Sequence, residues 1–294
     1  MKSMNILVTG SNGQLGNEIK QLGSQYPNFK FNFTDVAEMD ITNQTSVMSA
    51  CEANKIDAII NCAAYTAVDK AESDEALCAA INATGVANLV AYCEKVSAKL
   101  VHVSTDYVFN GENFRPIIES DPIHPMGVYG QTKAEGEQHV LESKADAIVI
   151  RTSWLYSSFG ANFVKTIRKY AIERGQLKVV FDQIGTPTYA ADLAKTILEI
   201  LSNNESISTK GRLYHYSNEG VASWYDFAKA IVKQSDIPCV IEPVESTQFP
   251  TPAKRPHYSV LNKSKIKADF DIEIPYWMDS LKKCIAILDE QKSI

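Results

Sequence analysis

Tyr129 and Lys133 stand at positions i and i+4 of the stretch Val128-Tyr129-Gly130-Gln131-Thr132-Lys133-Ala134-Glu135, which runs on in helix-forming residues to Leu141. On a helix those positions share a face, so a phenol and an ammonium can enter one pocket. A free tyrosine titrates near ~10. A cation fixed beside it favours the phenolate and brings that value toward neutrality, where a phenol trades protons usefully. The same spacing also occurs wherever a surface tyrosine packs on a lysine stem, so the pair needs a third member. Upstream, the apolar run Leu100-Val101-His102-Val103 ends in Ser104-Thr105-Asp106. Ligands of open parallel sheets sit at the carboxyl ends of the strands. The loop between, with Pro116, Pro122 and Pro125, is long enough to bring Thr105 beside Tyr129. Thr105, Tyr129 and Lys133 are therefore the candidate catalytic set: a proton donor, a hydroxyl for developing charge on oxygen, and a cation.

The elements that would position these groups read as alternating strands and helices. Asn5-Ile6-Leu7-Val8-Thr9 is a short branched apolar run that enters Gly10-Ser11-Asn12-Gly13-Gln14-Leu15-Gly16, with Glu18, Ile19 and Leu22 periodic behind it. This predicts strand, tight turn, helix. Gly10, Gly13 and Gly16 suit the close approach of a pyrophosphate to a helix N-terminus, where free N–H groups and the dipole favour negative charge. Residues 29–34 alternate as a second strand, ending at Asp35, whose carboxylate suits an adenosine ribose and repels a 2′-phosphate. Asp40 and Ile41 follow in a loop where an adenine would lie. A helix over 42–53 precedes a buried strand over 58–64, and the small Ala63 and Ala64 leave room for a cofactor. Asn82 falls within a helix predicted over 76–95, where it holds a nearby loop or is simply exposed. Further strands are read at 147–151 and 214–216, strand and loop over 179–188, and helices from 162 to about 174, over 190–201 and over 224–233. Arg255 offers a planar fork for a substrate phosphate, or a surface role. Alternation of this kind implies βαβ units and a doubly wound parallel sheet of the α/β Rossmann type. We divide the chain into a dinucleotide-binding part over 1–150 and a smaller mixed α/β substrate part over 151–294, some segments of which return to the first.

The chain has 294 residues, 45% of them hydrophobic and 22% charged, which allows an ample core. A net charge of −6, with no basic patch, argues against nucleic-acid binding. The six cysteines show neither C-x-x-C nor zinc-type spacing and read as free thiols. Met1-Lys2-Ser3-Met4 leads straight into a strand, and no stretch is read as a membrane span, so a cytoplasmic protein without a membrane partner is expected.

On Gly10 to Gly16, on Asn61-Cys62-Ala63-Ala64-Tyr65-Thr66-Ala67-Val68-Asp69-Lys70-Ala71-Glu72, on Ser104 to Phe109, and on Tyr129 to Lys133, the chain resembles the extended short-chain dehydrogenase/reductases. Arg151-Thr152-Ser153-Trp154, Asn162-Phe163, Asp182-Gln183 and Arg255-Pro256 extend the likeness nearly end to end, toward the branch that reduces dTDP-linked 4-keto-6-deoxy sugars. The resemblance implies NADH or NADPH as cofactor and reduction of the C4 keto group of dTDP-4-dehydro-6-deoxy-L-mannose to dTDP-L-rhamnose. It implies cofactor contacts at Gly13, Gln14, Leu15, Asp35, Asp40, Ile41, Ala64, Tyr65 and Thr66, with Lys133 also on the nicotinamide ribose. It implies sugar-nucleotide contacts at Thr105, Asp106, Trp154 and Asn162. Magnesium-linked dimers of this branch carry two glutamates; Glu18 matches the first, but Ala191 stands at the second. No metal ligand is therefore assigned, and a monomer or homodimer is expected. Two other readings share the scaffold. One is a nucleotide-sugar 4,6-dehydratase or 4-epimerase, against which Tyr107 stands where a dehydratase needs a glutamate. The other is a non-catalytic subunit resembling the regulatory partner of methionine adenosyltransferase.

Overall fold

Six short strands, most of them runs of branched and aliphatic residues, pair in one parallel sheet. β1 (Met4–Thr9) lies at its switch point, between β2 (Phe29–Phe33) and β3 (Ala58–Asn61); β4 (Lys99–Thr105), β5 (Asp146–Thr152) and the late strand Leu213–His215 follow outward from β3. Strands covered on both faces need no polar alternation, and Ile6 to Val8, Ile59, Ile60, Leu100, Val101 and Ala147 to Ile150 are all buried. The computed structural model describes residues 3–203 and 206–291.

Helices cover both faces, as the alternation requires. α1 (Gln14–Leu22) and α8 (Ala190–Ser202) pack on one face, where Leu15, Ile19, Leu193 and Ile197 join Ile6, Val8, Ile60 and Val101 in one cluster. On the other face, α2 (Gln44–Ala53), the helical run from α4 (Glu75–Ala79) to α5 (Gly85–Val96), and α6 (Val128–Glu142) bury Val47, Val86, Leu89 and Val140 against Leu7, Ile59, Leu100 and Val149. α3 (Val68–Ala71) is a single turn before α4. A third cluster gathers residues that follow β5: Val164 and Ile167 of α7 (Phe163–Arg174), Phe227 and Ile231 of the helix Trp224–Gln234, and Leu281 and Ile285 of the helix Trp277–Glu290. The strands Gln176–Val180 and Val240–Val244 pair beside it in parallel. The strand Leu213–His215 and α8, although late in the chain, belong to the main sheet and its cover.

Two local departures from the sequence reading bear on the site. The helix expected over 76–95 is interrupted by a π segment, Ala80–Thr84, which carries the buried Asn82. Such segments often occur at functional sites. Glu75–Val96 as a whole is also long and apolar enough to cross a membrane, contrary to the expectation that no stretch was. Half of its apolar window is buried inside the fold, which is how a core helix of an α/β layer passes the same test.

Candidate active site

At the switch point the backbone leaves β1 through Gly10, whose φ of +59° suits glycine. A side chain there would also meet Ala63, with a Cβ 2.7 Å from its Cα and N. The closeness of the two loops brings β1 and β3 to one cleft of about 920 Å³. Gly13 caps α1 without a side-chain acceptor and lines the cleft with Gln14 and Leu15, so the first turn of α1 opens onto it. At the end of β2, Asp35 also lines the cleft. It accepts the Asn12 N–H (3.1 Å) and donates its own N–H to Glu38 (2.9 Å). Asp40, Ile41, Ala64 and Thr66 complete this side.

α6 supplies the other wall. Its N-terminus receives Glu72, whose carboxylate accepts the Val128 N–H (3.0 Å). Farther along, Gly136 lies so close to the π segment that a Cβ would sit 2.2 Å from Asn82 O. Asn82 in turn clamps the chain after β3: its Oδ1 accepts Tyr65 N–H (2.9 Å), and its Nδ2 donates to Tyr65 O (3.2 Å) and Thr132 Oγ1 (3.2 Å). Of the two roles the sequence left open to Asn82, the structure shows the buried one. Tyr129, Lys133 and Glu137 succeed one another along α6; Lys133 and Glu137 are buried, and Tyr129 is half-buried at the cleft. Glu137 is held from two strands, accepting Ser104 Oγ (2.5 Å) and the Arg151 guanidinium at Nε (2.9 Å) and Nη2 (2.6 Å).

Thr105, Tyr129 and Lys133 meet in the cleft. Burial pushes the Tyr129 pKa up, against the neighbouring Thr105 hydroxyl, which favours the phenolate, and Asp106 and Cys78 add to the rise. This reverses the direction expected from the Tyr-x-x-x-Lys spacing. The physical reason is burial unopposed by Lys133, which turns to the sheet, donating to Val103 O (2.7 Å) and lying 3.4 Å from His102 Nε2. Burial lowers the lysine to about 8, although Glu137, Cys78 and Cys62 pull it upward. Asp106 is buried; Oδ1 accepts Thr105 Oγ1 (3.1 Å), Ser259 also favours the ionised carboxylate, and Oδ2 has no partner in hydrogen-bond geometry among the described residues. Its burial raises the carboxyl to about 6.

The remaining predicted residues divide. Trp154 and Asn162 line the cleft, though the Asn162 side chain is already used: it caps α7 at Lys165 N (3.1 Å) and donates to Gln14 Oε1 (3.0 Å). Gly16 packs on Ser11 and does not line it. Tyr65 sends its hydroxyl to Asp74 (3.0 Å), away from the cleft. Arg255 is likewise outside; its fork is taken by Asp69, at 3.1 and 2.8 Å, rather than left for a phosphate. Glu18 is 5% exposed and accepts Ser157 Oγ (2.5 Å). With Ala191 offering no oxygen, these residues do not fit a bridging magnesium. The sequence reading missed Trp224, which stacks on Trp154 at 3.7 Å and 12° in the cleft wall. Its signal was only a tryptophan opening a helix. Trp154 itself sits at φ +48°, a backbone strain of the kind that collects at binding sites.

A parallel sheet with a glycine turn at its switch point and a phenol, an ammonium and a hydroxyl at the same strand ends defines a dinucleotide-binding α/β protein of the short-chain dehydrogenase/reductase class. A family model described as the RmlD substrate binding domain matches residues 4–290. The dTDP-4-dehydrorhamnose reductase of Aggregatibacter actinomycetemcomitans is 39% identical, covering 94% of this chain and 97% of its own. Among solved structures, a dTDP-4-dehydrorhamnose reductase from Clostridium acetobutylicum superposes with a TM-score of 0.91 at 43% identity, over 97% of this chain and 100% of the other. One from Bacillus anthracis, in complex with NADP, gives 0.92 at 36%, over 98% and 100%. The chain belongs to the RmlD family, that of the dTDP-4-dehydrorhamnose reductases.

Proposed function

We propose that the protein reduces the C4 keto group of dTDP-4-dehydro-6-deoxy-L-mannose to give dTDP-L-rhamnose, using NADH or NADPH, in nucleotide-sugar biosynthesis for cell-surface polysaccharide. A cytoplasmic location goes with that reading. The observation that carries it is the meeting of the Thr105 hydroxyl, the Tyr129 phenol and Lys133 in the cleft that also opens on the first turn of α1. Family membership selects the substrate class.

The cleft fits a dinucleotide on its own chemistry. Gly10 lets β1 and β3 close to backbone distance, the α1 N-terminus offers unpaired N–H groups, and Asp35 stands at the tip of β2. A nicotinamide bound there supplies the hydride. The chain's own residues handle the proton and the charge. Tyr129, kept protonated by burial, donates its phenolic proton to the oxygen at C4. Thr105 hydrogen-bonds the same oxygen and stabilises the charge that develops on it. Lys133 brings positive charge to the phenolate left behind and an N–H to the nicotinamide ribose. The free Oδ2 of Asp106 accepts a sugar hydroxyl, and the stacked Trp154 and Trp224 wall in the substrate. The cluster after β5 is the substrate part, and α8 with the strand Leu213–His215 ties it to the dinucleotide part.

The decisive experiment supplies dTDP-4-keto-6-deoxy-L-lyxo-hexose with each reduced nicotinamide and follows cofactor oxidation. Turnover with a preference for NADH is expected, because Asp35 and Glu38 oppose a 2′-phosphate. No oxidation with either cofactor overturns the assignment. Tyr129→Phe is expected to lower turnover by roughly 10²–10⁴-fold, the range for losing a general acid.

A further inference from the structure

Behind Lys133 a chain of buried polar groups runs across three strands. Lys133 Nζ lies 3.4 Å from His102 Nε2 on β4; His102 Nδ1 lies 2.9 Å from Asn61 Nδ2 on β3. Asn61 Oδ1 accepts Thr9 Oγ1 (2.6 Å) at the end of β1, and Thr9 Oγ1 accepts the Ala63 N–H (3.3 Å). Thr9, Asn61, His102 and Lys133 are all almost wholly buried, so a mismatched hydrogen bond here has no water to repair it.

An ammonium at Lys133 fits only one arrangement of these donors and acceptors, whereas an amine also fits a second. An imidazole that accepts Asn61 Nδ2–H at Nδ1 carries its proton on Nε2, and Nε2–H can donate to Lys133 only if that nitrogen is an amine. An ammonium has donors alone, so a charged Lys133 requires Nε2 to accept. The ring proton then sits on Nδ1, and Asn61 must turn its oxygen toward it. Its NH₂ group then faces Thr9 Oγ1, which can accept. The two arrangements differ by one proton on Lys133, exchanged through the cleft, while the imidazole stays neutral in both. Burial and the neighbouring lysine hold the His102 pKa well below the ordinary value, as this requires. The other titratable groups that face Lys133, Glu137 on α6, Cys78 on α4 and Cys62 after β3, all favour its charged form.

We propose that His102 and Asn61 are positioning residues for Lys133, switching ring tautomer and amide orientation together so that the lysine faces a ring nitrogen that matches it in either charge state. A phenol that gives up a proton in every cycle needs such a neighbour, one whose own partner can match it whether it is charged or neutral. That link to turnover rests on the reductase reading; the hydrogen-bond switch does not.

The test has two arms. With ¹⁵N-labelled histidine, of which the chain has five, the His102 ring nitrogens are followed by NMR on the native protein. The protonated nitrogen is expected to change from Nδ1 to Nε2 as pH rises through about 8, where Lys133 loses its charge. The change should be absent in Lys133→Met. One tautomer throughout, or the same change in Lys133→Met, overturns the proposal. In the second arm, His102→Phe removes the acceptor and is expected to move the alkaline limb of the kcat/KM profile down by about one to two pH units, the worth of one hydrogen bond to a charged group. His102→Gln, whose amide can present either its oxygen or its N–H, should restore the limb. Asn61→Asp, which only accepts, should move it upward. A limb unmoved in all three variants also overturns it. Absence of keto-sugar turnover in the parent counts against the reductase reading instead, and the NMR arm then decides alone.

Discussion

Two buried cations stand beside two buried histidines in this sheet, and they are handled differently. Arg151 on β5 is gripped by both oxygens of Glu137 and lies 3.5 Å from His215 Nε2, and its side chain is 3% exposed. Lys133, one turn before Glu137 on α6, has only Val103 O and His102 as hydrogen-bond partners among the described residues. A guanidinium stays charged under working conditions and holds a carboxylate in a fixed fork; an ammonium in a dry site loses its proton readily. Pairing fixes the first in place. Incomplete pairing leaves the second free to change charge where the phenol and the cleft need it.

The contrast breaks most visibly at Lys133. Lys133→Met should cut kcat by roughly 10²–10⁴-fold, as for loss of a proton-transfer group, with a melting temperature equal to or above the parent's because a costly buried charge is gone. A melting temperature that falls sharply would make Lys133 a structural cation after all. Arg151→Met should do the opposite: a loss of about 3–5 kcal/mol in denaturant unfolding, since Glu137 is left buried without its partner, while the folded fraction keeps most of its kcat.

Asp106 sharpens the same point for an anion. Its carboxyl is raised to about 6 from the ordinary 3.8. A raised value means that its stabilising contribution is whole below 3.8 and is lost as pH rises through 6. Asp106→Asn should therefore gain up to about 3 kcal/mol over the parent at neutral pH. The gain should vanish below pH ~3, where the parent's carboxyl is protonated in both states, and activity should be lost. Equal stability across that window would show that the site carries no such cost. The smallest effect belongs to Arg255. It is a partly exposed partner of Asp69, so Arg255→Ala should cost no more than about 1 kcal/mol after solvent screening and leave KM for the sugar nucleotide unchanged. A raised KM would return the guanidinium to the phosphate role that its sequence position suggested.

Much of this was legible in the sequence. The branched run into Gly10 announced the first strand and turn, and Tyr129, Lys133 and Thr105 were identifiable by type and spacing. What was not legible depends on packing between distant segments. The Tyr129 pKa moves against expectation because burial and the turn of Lys133 toward Val103 are tertiary facts, invisible to an i, i+4 pattern. Asn61, His102 and Thr9 each read as one more polar residue in an apolar strand; only the register of β1, β3 and β4 aligns them. Trp224 reached the cleft wall because its helix returns beside Trp154. Tyr65 and Arg255, singled out by motif, proved to serve neighbouring carboxylates.

The strand Leu213–His215 completes the main sheet from far down the chain. During synthesis β5 must wait with one bare rim, the kind that recruits strangers, until more than sixty further residues have left the ribosome. A piece cut off at residue 150 would carry that rim permanently, and the nucleotide half is not expected to mature without the length of polypeptide that finishes it.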